Sequence, residues 1–544
     1  MKKLFLTAVT LLAAITSSMA CTNLIVGKAA SADGSVIVSY SADSYGMYGY
    51  LCHYSAAVHA AGTWREVYDW ETGRYTGRIP EAAQTYNVIG NINEHQVTIA
   101  ETTFGGREEL VNPEGIIDYG SLIYIALQRS KTAREAIDVM TSLVEEYGYN
   151  SGGESFTIAD PNEVWIMEMI GKGPEHKGAV WVAIRIPDDC ISAHANQSRI
   201  RQFPLKDKKN CLYSKDVIKF AREKGYFEGK DSEFDFADAY CPADFSGLRY
   251  CDARVWSYFN MFASGMDEYL PWAMGDTSAT PMPLYIQPKQ KVSVRDVQNA
   301  MRDHYEGTPM DITGDLGAGP WSMPYRPSPL SFKVDGKTYF NERPISTQQT
   351  AFTFVSQMRS QLPNAIGGVL WFGTDDANMA VFTPVYCCTN VVPECYKREK
   401  ADPVTFSAES AFWLFNMVSN MVYPRYSALI GDLKKVQQEC EDAFAANQAA
   451  VEAKAMELYN DNPPKAVAML TQYTSETAMS TMSAWGNLAK FLIVKHNDMV
   501  VKPEKNGVFK RIETGEAVSP VRNGYPEHFN RRVANETGDR YLMK

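Results

Sequence analysis

The strongest constraint on this chain is how abruptly regular structure begins. After an apolar leader, Ser18-Met19-Ala20-Cys21 passes without any tether into Thr22–Val26, a β-branched and aliphatic run. Ala32-Asp33-Gly34-Ser35 then turns the chain into a second apolar run, Val36–Tyr40. Asp-Gly between two such runs is a strong hairpin signal, so the chain enters a sheet one residue after Cys21. That reading puts Cys21 at the exposed tip of a strand.

Residues 1–20 have the layout of a secretory signal: Lys2 and Lys3, an apolar run from Leu4 to Ile15, and the small-residue tail Ser17-Ser18-Met19-Ala20. The run is too short to span a bilayer. Cleavage after Ala20 would make Cys21 the first residue of an exported, periplasmic or secreted product. A cysteine there carries both a thiol, with a free pKa of about 8.5, and an α-amine of about 7.7–8.0. One residue then supplies nucleophile and base. Lipoproteins also begin at a cysteine after a signal, but their cleavage box has an aliphatic residue three positions earlier, where this chain has Ser18. A lipid-anchored nutrient-binding protein with acylated Cys21 is therefore the rival reading from another class.

Without the leader the chain has 51 basic and 64 acidic residues, a net charge of −13. That argues against nucleic acid or an anionic membrane as partner. With 45% hydrophobic and 12% aromatic residues the chain can bury a large core. Ten cysteines are too few for a disulfide scaffold, although Cys387 or Cys388 with Cys395 would close a small loop. HExxH, G-x-S-x-G, Walker and CxxC signatures are absent, and no cysteine–histidine cluster has metal spacing, which raises the weight of Cys21.

Further along, strands are expected at Tyr86–Val88, Gln96–Thr103, Ser155–Asp160, Glu163–Met169 and Ala179–Ile186. Helices are expected around Tyr119–Gln128 and Thr132–Tyr147, the second with Thr132 and Glu135 as a capping box. Strands separated by a helical layer suggest layered packing rather than alternating βαβ units. Gly307–Pro329, dense in Gly and Pro, reads as a segment that lines a site or forms a surface excursion. Gly367–Thr383 returns to strand character, and helices are expected at 408–422, 426–459 and from Pro463-Pro464 to about Lys495. The chain therefore divides into a leader (1–20), a catalytic domain (21–405), a helical region packed on it (406–500) and an irregular polar tail (501–544).

Cys21-Thr22-Asn23-Leu24-Ile25-Val26-Gly27-Lys28, Ala32-Asp33-Gly34-Ser35, Asp43-Ser44, Gly90-Asn91-Ile92-Asn93-Glu94, Glu101-Thr102-Thr103 and Ala195-Asn196-Gln197-Ser198-Arg199-Ile200 together resemble the C69 dipeptidases. These are N-terminal nucleophile (Ntn) hydrolases related to choloylglycine hydrolases and penicillin V acylases. The resemblance implies an α+β fold, a four-layer αββα sandwich with an added helical C-terminal region. It also implies hydrolysis of small peptide substrates, dipeptides, without a metal; an amidase for N-acyl amino acids or bile-salt conjugates is the alternative within the same fold. On that resemblance Cys21 falls on the nucleophile, Asp43 on the acidic residue that orients the N-terminal amine, and Asn196 on an oxyanion donor. Thr103 lies near a second oxyanion position, Asn93 lies in a shared motif, and Arg254 falls on the late arginine near the site. Many relatives have Arg-Asn where this chain has Tyr40-Ser41, so the cation acting on the thiol has to be Arg254 or the N-terminal ammonium, with the Tyr40 phenol as a further hydrogen-bonding group. A homo-oligomer is compatible with the sequence, which does not decide it.

Overall fold

A computed structural model describes residues 21–543; the leader, with its reading as an export signal, lies outside the described residues. Two antiparallel sheets form the centre. The first runs in the order Tyr285–Ile286, Ile191–His194, Asn23–Val26, Val36–Asp43, Thr350–Met358, Gly368–Thr374, Thr383–Tyr386. The second runs Cys211–Tyr213, Ala179–Arg185, Val164–Gly171, Gly153–Ala159, Thr98–Gly105, Ile92–Asn93, Val88–Ile89, His53–Tyr54.

Side chains alternate across a strand, and here both faces are apolar, so each sheet is covered twice. Val36, Val38, Tyr40 and Ala42 face Ala100, Ile166, Ile170 and Val182 in the core between the sheets. On the outside of the second sheet, Ile99, Phe156, Trp165 and Met167 pack with helices Tyr119–Arg129 and Ala133–Tyr147. On the outside of the first, Leu24, Ile37, Val355 and Trp371 share a core with Phe415, Leu433, Leu470 and Trp485 of helices Ala411–Val422, Tyr426–Asp461 and Pro463–His496. The order of layers is helix, sheet, sheet, helix, an α+β fold with a helical C-terminal region.

The C-terminal helices thus supply an outer layer of the same core. Trp485 is fully buried and stacks on Phe415 with ring centroids 4.5 Å apart. Trp485→Ala is expected to cost about 3–5 kcal/mol, read from chemical denaturation of the whole chain, with sheet and helix signals lost in one transition.

Several local expectations need correction. Thr132 does cap its helix, accepting from the Glu135 backbone N–H at 3.2 Å, but the Glu135 carboxylate turns to the Lys131 N–H at 2.7 Å, so the box is not closed. Thr350–Met358 pairs along its whole length with Val36–Asp43, yet no strand is expected there from sequence. All nine of its residues are buried, so the polar/apolar alternation that marks a half-exposed strand is missing. The tail is not wholly irregular: Glu527–Thr537 is helical. All ten cysteines are free thiols, so the Cys387/Cys388–Cys395 loop is not closed by a disulfide. Among the described residues no helix is long and apolar enough to cross a membrane.

Candidate active site

Cys21 is fully buried rather than exposed at a strand tip. Its side chain enters the core between the sheets, where Sγ lies 3.4 Å from the Tyr40 hydroxyl and 3.6 Å from Glu101 Oε1. Tyr40 donates to the same Glu101 oxygen at 2.6 Å. Tyr40 is on Val36–Asp43, which pairs with the Cys21 strand, and Glu101 is on Thr98–Gly105 of the other sheet. Burial pushes the Cys21 thiol well above its usual range; the charges of Glu101 and Asp43 push it further, against a smaller opposing effect of the Tyr40 hydrogen bond.

The backbone of Cys21 is held by Arg254, on helix Ala253–Phe262. Its Nη1 donates to Cys21 O and Thr22 Oγ1, both at 2.7 Å, and its Nη2 donates to Ala195 O at 2.9 Å and Asn196 Oδ1 at 3.0 Å. Nε donates to Tyr250 O at 2.8 Å. One planar guanidinium thus ties the first strand to the turn after Ile191–His194. Burial, then the nearby Arg343, lowers its pKa to about 10, so it stays charged at neutral pH. Arg254→Lys offers three donors to five acceptors, so it is expected to destabilise the fold by about 2–4 kcal/mol through unpaired buried acceptors, measured by thermal or urea unfolding.

Asn196 has a left-handed backbone, φ 66°, which asparagine tolerates better than most residues. Its Nδ2 donates to Thr103 O at 2.7 Å, so Asn196, Thr103 and Arg254 form one connected group. The Thr103 hydroxyl donates to Glu154 Oε1 at 2.7 Å. Asp43 sits at the end of its strand, fully buried, with Oδ2 accepting from Arg343 Nη2 at 2.5 Å and Ser41 Oγ at 3.0 Å, and Oδ1 accepting from Thr350 Oγ1 at 2.7 Å. Asn93 is placed apart from these residues. Its Nδ2 donates to Leu127 O and Ser130 O and its Oδ1 accepts from the N–H groups of His95 and Val97, which fastens the Gly90–Glu94 turn to the end of a helix.

Arg343 and Glu154 escape the sequence reading, and Glu101 is visible there only as part of a motif. Arg343 lies 300 positions from its partner Asp43 in a loop with no pattern of its own. His194 is buried between Thr102 and Thr157 hydroxyls, and burial drops its pKa to about 3, so it stays neutral and structural. Among the described residues no group of three or more His, Cys, Asp or Glu side chains is placed to hold a metal ion.

Arg254, Asn196 and Arg343 also form part of the wall of a cavity of about 950 Å³, completed by Tyr45, Phe104, Arg107, Gln197, Tyr250, Arg326 and Glu342 among others. Pro324–Arg326 and Ser328–Pro329, the end of the Gly/Pro-rich stretch, line it. A buried thiol at a strand start, an arginine gripping its backbone and an adjoining cavity lined by that arginine and Asn196 make up the candidate site.

The chain matches the sequence profile of peptidase family C69 over residues 20–68 and 64–439, and it belongs to that family. It is 28% identical over 409 residues to a probable dipeptidase of Salmonella dublin, covering 71% of this chain and 85% of the relative. It is 27% identical over 498 residues to a probable dipeptidase of Latilactobacillus sakei, covering 88% and 95%. Dipeptidase A of Lactobacillus helveticus is 25% identical over 453 residues, covering 79% and 86%.

Proposed function

We propose that this protein is an exported cysteine dipeptidase whose nucleophile is Cys21, exposed as the N-terminal residue by cleavage after Ala20. The observation that carries the reading is the placement of Cys21. Its backbone is gripped by Arg254, which also holds Asn196, and both of these side chains line the cavity. A substrate carbonyl entering from the cavity therefore meets Asn196 and Arg254, and Arg254 stands one hydrogen bond from the Cys21 backbone.

In this mechanism Sγ attacks the scissile carbonyl carbon. The oxyanion is held by Asn196 and backbone amides. The α-amine of Cys21 takes the thiol proton as the S–C bond forms and delivers it to the leaving nitrogen as the C–N bond breaks, and water then hydrolyses the thioester. A free dipeptide carries an ammonium and a carboxylate a few ångströms apart, and the cavity wall carries both signs of charge, with Arg107 and Arg326 against Glu108, Glu109 and Glu342. Charges of both signs can meet the two ends of a small zwitterion.

The test joins the N-terminal mass of the exported protein to hydrolysis of a dipeptide and of a glycine-conjugated acyl substrate. A free N-terminal Cys21 with preference for the dipeptide is expected. Preference for the conjugate would make the protein an amidase of the same fold, and a diacylglyceryl adduct on Cys21 would make it an anchored binder.

A further inference from the structure

Four arginines stand in the wall of the cavity, Arg107, Arg254, Arg326 and Arg343, and three of them have both Nη groups bound within the protein. Arg254 meets five acceptors around the start of the Cys21 strand. Arg343 binds Asp43 and the carbonyls of Pro344 and Ile345. Arg326 binds the carbonyls of Met323, Tyr325 and Ile312 and the carboxylate of Asp315.

Arg107 differs from these. It is half-buried and bound at Nε alone, which donates to Ala239 O at 2.6 Å, while its two Nη groups have no hydrogen-bond partner among the described residues. The guanidinium lies over the Tyr226 ring, 3.8 Å from the centroid. The Tyr226 hydroxyl in turn donates to Glu109 Oε1 at 2.7 Å, so the neighbouring carboxylate already has a donor of its own. The Nε bond and the ring hold the plane of the guanidinium, and its Nη edge is left open. That is the edge a carboxylate binds with two parallel hydrogen bonds.

The same strand that reaches the nucleophile places this side chain. Thr98–Gly105 carries Glu101, 3.6 Å from Cys21 Sγ, and Thr103, whose carbonyl accepts from Asn196 Nδ2 at 2.7 Å. It ends in Gly105 and Gly106, both left-handed with φ 70° and 73°, and the Gly106 N–H donates to Phe104 O at 2.8 Å in a three-residue turn. A Cβ on Gly106 would stand 2.8 Å from both Tyr240 O and Ile170 Cδ1, so glycine is required there. From Thr103 to Arg107 is at most about 13–14 Å of fully extended chain, and the turn shortens it.

We propose that Arg107 binds the C-terminal carboxylate of the substrate and thereby selects a free dipeptide over a longer or C-terminally blocked peptide. This rests on the dipeptidase reading above. With the scissile carbonyl at Asn196, the carboxylate carbon of an extended dipeptide lies one residue further on, about 3.5 Å from the scissile carbon. Along the wall formed by Phe104–Arg107, the first cation with an open edge is Arg107. Each added residue carries the carboxylate about 3.5 Å further from the scissile carbon, and a C-terminal amide presents no charge. Either change leaves the fork without its partner.

The experiment measures kcat and KM of processed wild type, Arg107→Gln, Arg107→Lys and Cys21→Ala on a dipeptide and on the C-terminal amide of the same dipeptide. Wild type is expected to favour the free acid about 10–100-fold in kcat/KM, the range of hydrogen bonds to a charged group. Arg107→Gln is expected to lose about that factor on the acid, mostly through KM, and to change less than about threefold on the amide. Arg107→Lys keeps the charge without the fork, so its loss on the acid should fall between wild type and Arg107→Gln. An arginine that only supported the turn would slow both substrates alike. Equal losses on acid and amide, or a wild type without preference between them, therefore overturn the proposal. If Arg107→Gln does not fold, Arg107→Lys decides in its place: a loss confined to the acid supports the role and an equal loss on both overturns it. A wild type that cleaves neither substrate, or a Cys21→Ala that still cleaves, defeats the dipeptidase reading itself. Cleavage of acid and amide at equal rates through Cys21 defeats only the role of Arg107.

Discussion

Cys21→Ala in the processed protein is expected to lower dipeptide hydrolysis by more than about 10⁴-fold, the scale seen when a covalent nucleophile is removed, with the fold intact. The substitution removes one sulfur from a site whose other contacts, Tyr40 to Glu101 and Arg254 to the Cys21 carbonyl, do not depend on it. No other thiol is equipped to replace it. Cys241 and Cys251 also line the cavity, but Cys241 is hydrogen-bonded to Gln197 and Phe104 O. Cys251 also meets Arg254, but neither thiol carries an α-amine of its own. A chain that keeps any residue before Cys21 is expected to be equally inactive with its thiol in place. An acylated nitrogen has no basic lone pair, so nothing carries a proton to the leaving group. Comparing processed enzyme, uncleaved chain and Cys21→Ala at matched concentration checks both halves. Hydrolysis by the uncleaved chain would remove the α-amine from the mechanism.

The second large effect is on stability. Asp43→Ala is expected to destabilise the protein by about 3–5 kcal/mol, the usual result of deleting one partner of a buried ion pair. Asp43 has no exposed surface and Arg343 is only 4% exposed, so water cannot take over as counter-ligand. The loss also strips an acceptor from Thr350 Oγ1 and Ser41 Oγ, on the two strands that Asp43 joins. Urea unfolding of Asp43→Ala and Asp43→Asn separates the contributions: asparagine restores the oxygen acceptor but not the charge, so it should recover only part of the loss. Activity should fall in both, because Asp43 closes the end of the strand that carries Tyr40 to the Cys21 sulfur.

The parts of this architecture legible in sequence are local. The hairpin around Asp33-Gly34 and the helix from Ala133 to Tyr147 follow from turn chemistry and apolar spacing within a dozen residues, and both stand in the structure. The strand Thr350–Met358 has neither signal, because burial on both faces removes the alternation that would reveal it. Cys21 is marked by its place after a signal-like leader, and Arg254 and Asn196 through the family motif. Glu101 sits inside a quoted motif with nothing local to give it a task. Its relation to the sulfur exists only because a strand of the second sheet faces Tyr40 across the core.

What the sequence by itself determined, then, is the family and the α+β class, since each is written in contiguous residues. The tertiary structure alone decided that Cys21 is buried rather than exposed, that Arg343 answers Asp43 across 300 positions, and that Glu101 of the second sheet meets the Cys21 sulfur. Those are contacts between distant segments, set by how two sheets pack face to face. Hydrophobic pattern specifies that the sheets pack; which polar side chains they bring together depends on register and on the course of each strand through the core.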